Sequence, residues 1–240
     1  MISEEPYGAD LPKPKREFLA SAIADAIAEA VATRHLSPGT RVVETTLAKT
    51  YDTSRVPVRE ALKILHTQGI LTGGGHRGYR VAKFSKTQIA QVTELRLMLE
   101  VILWRDAIIR WQAVGPDLTE IEAKLVKMEI AARSDNFRSM LRCDLDFHRA
   151  VCEAAHNEVA YMCWQAIARH TLIIFNIARY RDTNLDVVVA RHWKLFEWLK
   201  TKINDGPMGD SDIRALLQDH IQIDRSPAHG TPAPEEKARG

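Results

Sequence analysis

The sequence predicts a mainly α-helical protein in two parts, an amino-terminal winged helix-turn-helix and a carboxy-terminal all-α helical bundle. Three observations carry this. Between residues 17 and 83, short helical patterns lead into a glycine-rich turn flanked by two β-prone runs. Beyond Lys83, apolar residues recur at helical spacing and no strand signal is found. The charge divides at the same place: residues 31–83 hold nine basic and three acidic side chains, net +6, whereas residues 84–240 hold 21 basic and 22 acidic, net −1.

Taken in order, residues 1–16 are polar, carry Pro6, Pro12 and Pro14, and read as a flexible arm. Over 17–34, Leu19, Ile23, Ile27 and Val31 fall four apart, the stripe of an amphipathic helix. Ser37-Pro38-Gly39 is a turn, and Thr45–Tyr51 a short helix with Leu47 and Ala48 facing inward. Asp52-Thr53 breaks the chain. Ser54 then caps a helix running to about Gln68, which Gly69 ends. Leu71-Thr72 and Tyr79-Arg80-Val81, joined through Gly73–Gly78, form a hairpin. Ser85-Lys86-Thr87-Gln88 is a capping box that opens the first of six further helices, at about 86–112, 117–132, 136–155, 158–179, 184–204 and 211–223. The expected organisation is therefore an arm over 1–16, a winged helix-turn-helix DNA-binding domain over 17–83, a helical domain over 84–224, and a proline-rich disordered tail over 225–240.

Composition narrows the function classes. The 240 residues are 45% apolar and 27% charged, enough to bury a core, which rules out wholesale disorder. Charges interrupt every apolar stretch before the ~18 residues of a membrane span. The first residues show no apolar secretory segment, and Cys143, Cys152 and Cys163 make no disulfide framework. A reducing cytoplasm is therefore the expected home. Neither G-x-x-x-x-G-K-[ST] nor G-x-S-x-G occurs.

In the helix opening at Ser54, Val58, Ala61, Leu62 and Leu65 mark a buried stripe, while Arg55 and Arg59 share an exposed side near the N-terminus. Two guanidinium groups so placed can bond phosphates or the O6/N7 edge of guanine. Pro57 falls in the first turn, where it costs the helix little. A hairpin tip of Gly75, His76 and Arg77 can reach the neighbouring backbone or minor groove. A solvated charged face is the plain alternative for such arginines.

The tracts L36-S-P-G-T-R-V-V-E-T-T-L-A, S54-R-V-P-V-R-E-A-L and G69-I-L with R77-G-Y-R-V resemble the winged helix-turn-helix of GntR-family bacterial transcription regulators. The resemblance implies double-stranded operator DNA as partner, read by a two-fold homodimer. It assigns the contacts to Thr45, Ser54, Arg55, Arg59, Gly75, His76 and Arg77. Val56 stands where the commoner family tract has Thr, which removes one phosphate-bonding hydroxyl.

A second constellation lies in the helical part. Asp144 and His148 are four apart on or beside the stripe of Phe137, Leu141, Leu145, Val151 and Ala155. His192 shares a stripe with Leu195, Phe196, Leu199 and Ile203, and His220 with Ile213, Leu216 and Leu217. One carboxylate and three imidazoles thus face the interior, where an unpaired polar group costs ~1–3 kcal/mol. A divalent ion satisfies all four; hydrogen-bonded core histidines are the other reading. D144-L-D-F-H148, R191-H192 and A215-L-L-Q-D-H220 are similar to the metal-binding set of the FCD domain, the effector domain of the FadR-like branch of GntR regulators. That resemblance implies Asp144, His148, His192 and His220 as ligands of zinc, nickel, manganese or iron. It also implies a small carboxylate metabolite completing the coordination. The interval from His192 to His220 exceeds the family's by several residues, all placed in the loop Asp205–Asp210.

Arg96 lies in an apolar run and needs an anion. The family resemblance makes it an effector ligand; an internal salt bridge, for instance to Glu100, is the alternative. Arg169 and Asn176 are weaker cavity candidates. The function expected is a ligand-responsive DNA-binding regulator, a repressor in the family's commoner mode, and not an enzyme. The competing class, a helical metalloenzyme acting on a small organic acid, lacks a general base beside the ligands and a paired E-x-x-H set.

Overall fold

The computed structural model describes residues 15–74, 78–179, 184–206 and 209–221. Its elements run α1 (Lys15–Ala32), β1 (Arg41–Val42), α2 (Glu44–Thr50), α3 (Arg55–Thr67), β2 (Leu71–Gly73), β3 (Tyr79–Val81), α4 (Lys86–Val114), α5 (Thr119–Arg133), α6 (Phe137–Ala154), α7 (Glu158–Arg179), α8 (Leu185–Asp205) and α9 (Asp210–Ile221). α1 begins at Lys15, two residues before the helix start expected at 17. Residues 1–14, the wing tip Gly75, His76 and Arg77, and the tail over 225–240 lie outside the described residues.

The amino-terminal part is a three-helix cluster with a small sheet. α1 buries Ala20, Ile23, Ala24, Ile27, Ala28 and Val31 against α3, whose Val58, Ala61, Leu62 and Leu65 are fully covered. Leu19, expected on the inner stripe, is exposed: small alanines at 20, 24 and 28 turn the buried face away from it. Ser54 occupies the N-cap of α3 in extended backbone, but its hydroxyl makes no capping bond. The sheet has one strand more than the expected hairpin. β3 pairs antiparallel with β2 on one side (Thr72 opposite Arg80) and with the two-residue β1 on the other (Arg41 opposite Arg80). β1 is too short to leave a periodicity in the sequence.

The bundle is organised on α4, whose 29 residues span about 43 Å at ~1.5 Å per residue. Ser85 and Gln88 form the expected capping box, with the Gln88 N–H donating to Ser85 Oγ at 3.1 Å and the Ser85 N–H to Gln88 Oε1 at 2.9 Å. α4 buries Leu97, Val101, Leu103, Trp104, Ala107, Ile108 and Trp111, and packs on α6, α7, α8 and α9. Asn157 caps α7, accepting from the Ala160 N–H, and donates to Asp106 Oδ2 at 2.7 Å, tying α7 to α4.

The two parts meet along a polar seam. Glu29 of α1 is 2% exposed and takes both Arg138 and Arg142 of α6 on its carboxylate; Arg142 Nε donates to Oε2 at 2.6 Å. Arg169 of α7 pairs with Asp25 at 2.8 Å and donates to Ser21 Oγ at 2.8 Å. Neither Glu29 nor Asp25 stood out in the sequence, because each meets its partner across more than a hundred residues.

A Cβ on Gly73, which has φ +88°, would stand 2.5 Å from the Gly78 carbonyl oxygen, whereas one on Gly69 would meet open space. Gly73→Ala is therefore expected to destabilise the wing by about 1–3 kcal/mol, more than Gly69→Ala, in urea denaturation. Equal losses would reject the contact.

Candidate metal centre and nucleic-acid interface

The interior set forms from three helices. α6 offers Asp144 and His148, one turn apart on its buried face; α8 offers His192 and α9 offers His220. All four are at most 4% exposed. One donor atom from each can be chosen so that all lie within 4.8 Å of one another. α8 ends at Asp205 and α9 begins at Asp210, and His220 joins the set despite the long interval from His192.

The hydrogen bonds behind the rings fix which nitrogen faces inward. His192 Nδ1 lies 2.8 Å from the Val188 carbonyl oxygen. A carbonyl only accepts, so Nδ1 carries the proton and a neutral ring turns the lone pair of Nε2 inward. His148 Nδ1 lies 2.9 Å from Glu100 Oε2, a close but bent contact. Burial pushes the Glu100 carboxyl up, but Arg96 and His148 outweigh it and hold the group at about 2. Glu100 is therefore ionised, accepts only, and favours the proton on His148 Nδ1. Burial in turn pushes His148 below its ordinary value, against the pull of Glu100, and so favours the neutral ring.

The consequence is a crowd of lone pairs. His148 Nε2 and His220 Nε2 stand 3.1 Å apart, a distance one N–H can bridge. Asp144 Oδ1 and His192 Nε2 stand 2.8 Å apart, yet neither atom has an aligned hydrogen bond. Burial raises the Asp144 carboxyl, but the facing imidazoles and Arg96 hold it well below the usual range, so it is ionised. With a second proton on His192 the two form a poorly aligned ion pair; with the ring neutral, an anionic oxygen faces a nitrogen lone pair and repels it. A cation between them reverses the sign. The residues present therefore fit a divalent ion: three imidazoles and one carboxylate, with the Val188 carbonyl orienting the His192 ring and Glu100 set close behind the His148 ring.

Arg96 is 3% exposed and donates from Nε to Glu100 Oε1 at 2.7 Å, the internal salt bridge that spacing allowed. Trp164 Nε1 donates to the same oxygen at 3.1 Å. What the sequence did not reveal is that Glu100 also faces His148, linking the α4 charge pair to the candidate metal set. Arg169 lines the seam with α1 rather than the interior set, and the Asn176 side chain lies outside the described residues.

On the opposite part, Arg55 and Arg59 project from the first turns of α3 with side chains 60% and 49% exposed. Thr45 and Ser54 are exposed beside them, as is Val56. Both arginines converge on Glu44 at the start of α2. The hydrogen bonds from Arg59 and Arg55 lower the Glu44 carboxyl despite opposing burial.

Comparison with known proteins agrees with this division. The family described as "Bacterial regulatory proteins, gntR family" matches residues 19–81, and the FCD domain matches residues 91–223. The probable D-xylose utilization operon transcriptional repressor of Paenarthrobacter nicotinovorans is 28% identical, over 77% of this chain and 80% of its own. The gluconate operon transcriptional repressor of Bacillus subtilis is 28% identical over 54% of this chain and 52% of its own. Among solved structures, Escherichia coli McbR/YncC superposes with a TM-score of 0.69 at 20% identity, covering 85% of this chain and 93% of its own. A GntR regulator from Rhodococcus sp. RHA1 superposes at 0.67 and 18% identity, covering 87% and 94%.

Arg96→Met should strand the Glu100 carboxylate in the interior and lower stability by ~3–5 kcal/mol in urea denaturation, with Glu100→Gln in the same background recovering part of the loss. Additive losses would show that the two charges do not depend on each other.

Proposed function

The chain belongs to the GntR family of bacterial transcriptional regulators, in its FCD-containing branch, and from that premise we propose that it is a metal-dependent, carboxylate-responsive repressor. Its reader is the winged helix-turn-helix, with Arg55 and Arg59 on bases, Thr45 and Ser54 on the backbone, and Gly75, His76 and Arg77 at the wing. Asp144, His148, His192 and His220 hold the ion. The observation that carries the metal is the 2.8 Å approach of Asp144 Oδ1 to His192 Nε2 without an aligned hydrogen bond.

Four protein ligands leave coordination positions for a small carboxylate on an ion that accepts six. Bound there, the ion supplies Lewis acidity toward an anionic metabolite. Arg96 adds a positive field felt at Asp144. Zinc, nickel, manganese and iron all suit this donor set.

α6 supplies the route from sensor to reader. It carries Asp144 and His148 on its buried face and, near its start, Arg138 and Arg142 that grip Glu29 of α1. A shift of α6 with occupancy moves the reader. A coupling of ~1–3 kcal/mol changes operator affinity ~5–150-fold. Leu95, Met98 and Ile109 expose apolar surface along one side of α4, a stripe that a second copy covers in a homodimer. Among the described residues no helix is long and apolar enough to cross a membrane; the working site is the bacterial cytoplasm.

Purified protein should carry stoichiometric divalent metal by elemental analysis, and His192→Ala should lose it. Glu100→Gln, which touches no ion, should weaken metal binding about 10–100-fold in chelator competition by releasing His148. Unchanged metal affinity would refute the assigned orientation. Arg59→Ala should abolish sequence-specific DNA binding and leave metal content intact. Operator affinity measured with and without a panel of small organic acids tests the switch; no change across the panel rejects it.

A further inference from the structure

Beyond the family reading, the geometry of the reader assigns a role to a residue that does not itself face DNA as a donor. Glu44 Oε1 accepts from Arg55 Nε at 2.7 Å and from Arg59 Nη2 at 2.9 Å, and Oε2 accepts from Arg59 Nε at 3.1 Å. A single exposed ion pair carries little meaning. Here one carboxylate, only 21% exposed, holds two cations of the next helix, 11 and 15 residues away. The packing of α2 on α3 places it there.

Which edge it occupies matters. A guanidinium has two bidentate edges, Nε/Nη2 and Nη1/Nη2. Glu44 takes the first on Arg59 and the Nε of Arg55. Among the described residues, Arg59 Nη1 and both Nη groups of Arg55 have no hydrogen-bond partner. The terminal edges that match guanine O6/N7 are therefore left open on exposed side chains anchored at Nε. An arginine free to swing finds a phosphate as readily, and a phosphate contact carries affinity without sequence.

We propose that Glu44 is a positioning residue for base readout: it pins Arg55 and Arg59 by their Nε sides so that their terminal edges meet bases instead of phosphates. Its charge also cancels one of the two cations, which lowers attraction to any DNA. Glu44 thus exchanges general affinity for discrimination. The proposal rests on Arg55 and Arg59 reading bases.

The test uses full-length protein and short duplexes with a random core. Wild type, Glu44→Ala and Glu44→Asp each undergo selection. Each protein is then titrated with the duplex that wild type enriches and with the unselected pool, at two salt concentrations. Glu44→Ala is expected to bind the unselected pool more tightly while its ratio of selected to unselected affinity falls about tenfold or more. Glu44→Asp keeps the charge but not the reach, so unselected affinity stays at the wild-type level while discrimination falls. Either variant retaining the wild-type ratio and motif overturns the proposal. So does a parallel loss of both affinities with a lowered melting temperature, which marks a merely structural residue. If wild type enriches no motif, the base-reading assignment of Arg55 and Arg59 fails first.

Discussion

Charged and imidazole groups sealed inside an apolar bundle set the terms for the rest of this molecule. Arg96, Glu100, Asp144, His148, His192 and His220 are each at most 4% exposed. Taking an ion out of water costs several kcal/mol unless a partner meets it with good geometry. Arg96 and Glu100 answer one another one turn apart on α4, and Trp164 from α7 adds a donor. Glu100 then extends to His148, and Asp144 is left facing imidazoles. The requirement couples α4, α6, α7, α8 and α9, because each contributes a group that another element must satisfy. A rotation of α9 that kept Ile213 and Leu217 roughly buried would still turn His220 out of the set. Apolar packing tolerates small slips, whereas this network does not.

The same helix that bears two of these groups bears the grip on the reader. Arg138 and Arg142 sit within two turns of Asp144, and their shared partner Glu29 is buried in the face that α1 turns to the bundle. α6 is therefore a rigid rod with a chemical handle on each side. In the proposed switch, coupling needs no chain of small adjustments between distant residues. It needs only that α6 have two resting positions, one of which the occupied site prefers.

How much of this was legible in the sequence follows from the range of each interaction. Helix positions were, because a 3.6-residue period repeats within a dozen residues, and the capping box at Ser85 marks the start of α4 outright. The interior placement of Asp144, His148, His192 and His220 was legible too, since each shares a stripe with large apolar neighbours on its own helix. Their convergence came only from the family resemblance: periodicity gives a face, and the packing of α6, α8 and α9 gives the common point. Arg96 with Glu100 could be suspected at i, i+4, but the contact of Glu100 with His148 could not. Glu29 and Glu44 escaped because their arginines come from other elements. Leu19 misled because alanines, weak markers of a buried face, define the inner side of α1. β1 was missed because two residues carry no period.

Glu29 and Glu44 use one device for different ends. Each is a single carboxylate gripping two arginines from a neighbouring helix. Glu29, buried, fixes the reader to the bundle; Glu44, partly exposed, fixes the arginines to the reader. Between them α1 packs on α3, so the path from the interior set to the recognition arginines runs through covered helix faces and two such forks. The coupling that a regulator needs, ~1–3 kcal/mol, is about the strength of one charge-assisted hydrogen bond. A path this stiff can transmit that much through a small displacement, and slack at either fork would absorb it. The stiffness also explains why acids, and not further arginines, stand at both joints. Under the proposed switch, a reader made only more basic would hold DNA harder in either state, whereas one held in register would lose its grip when α6 moves.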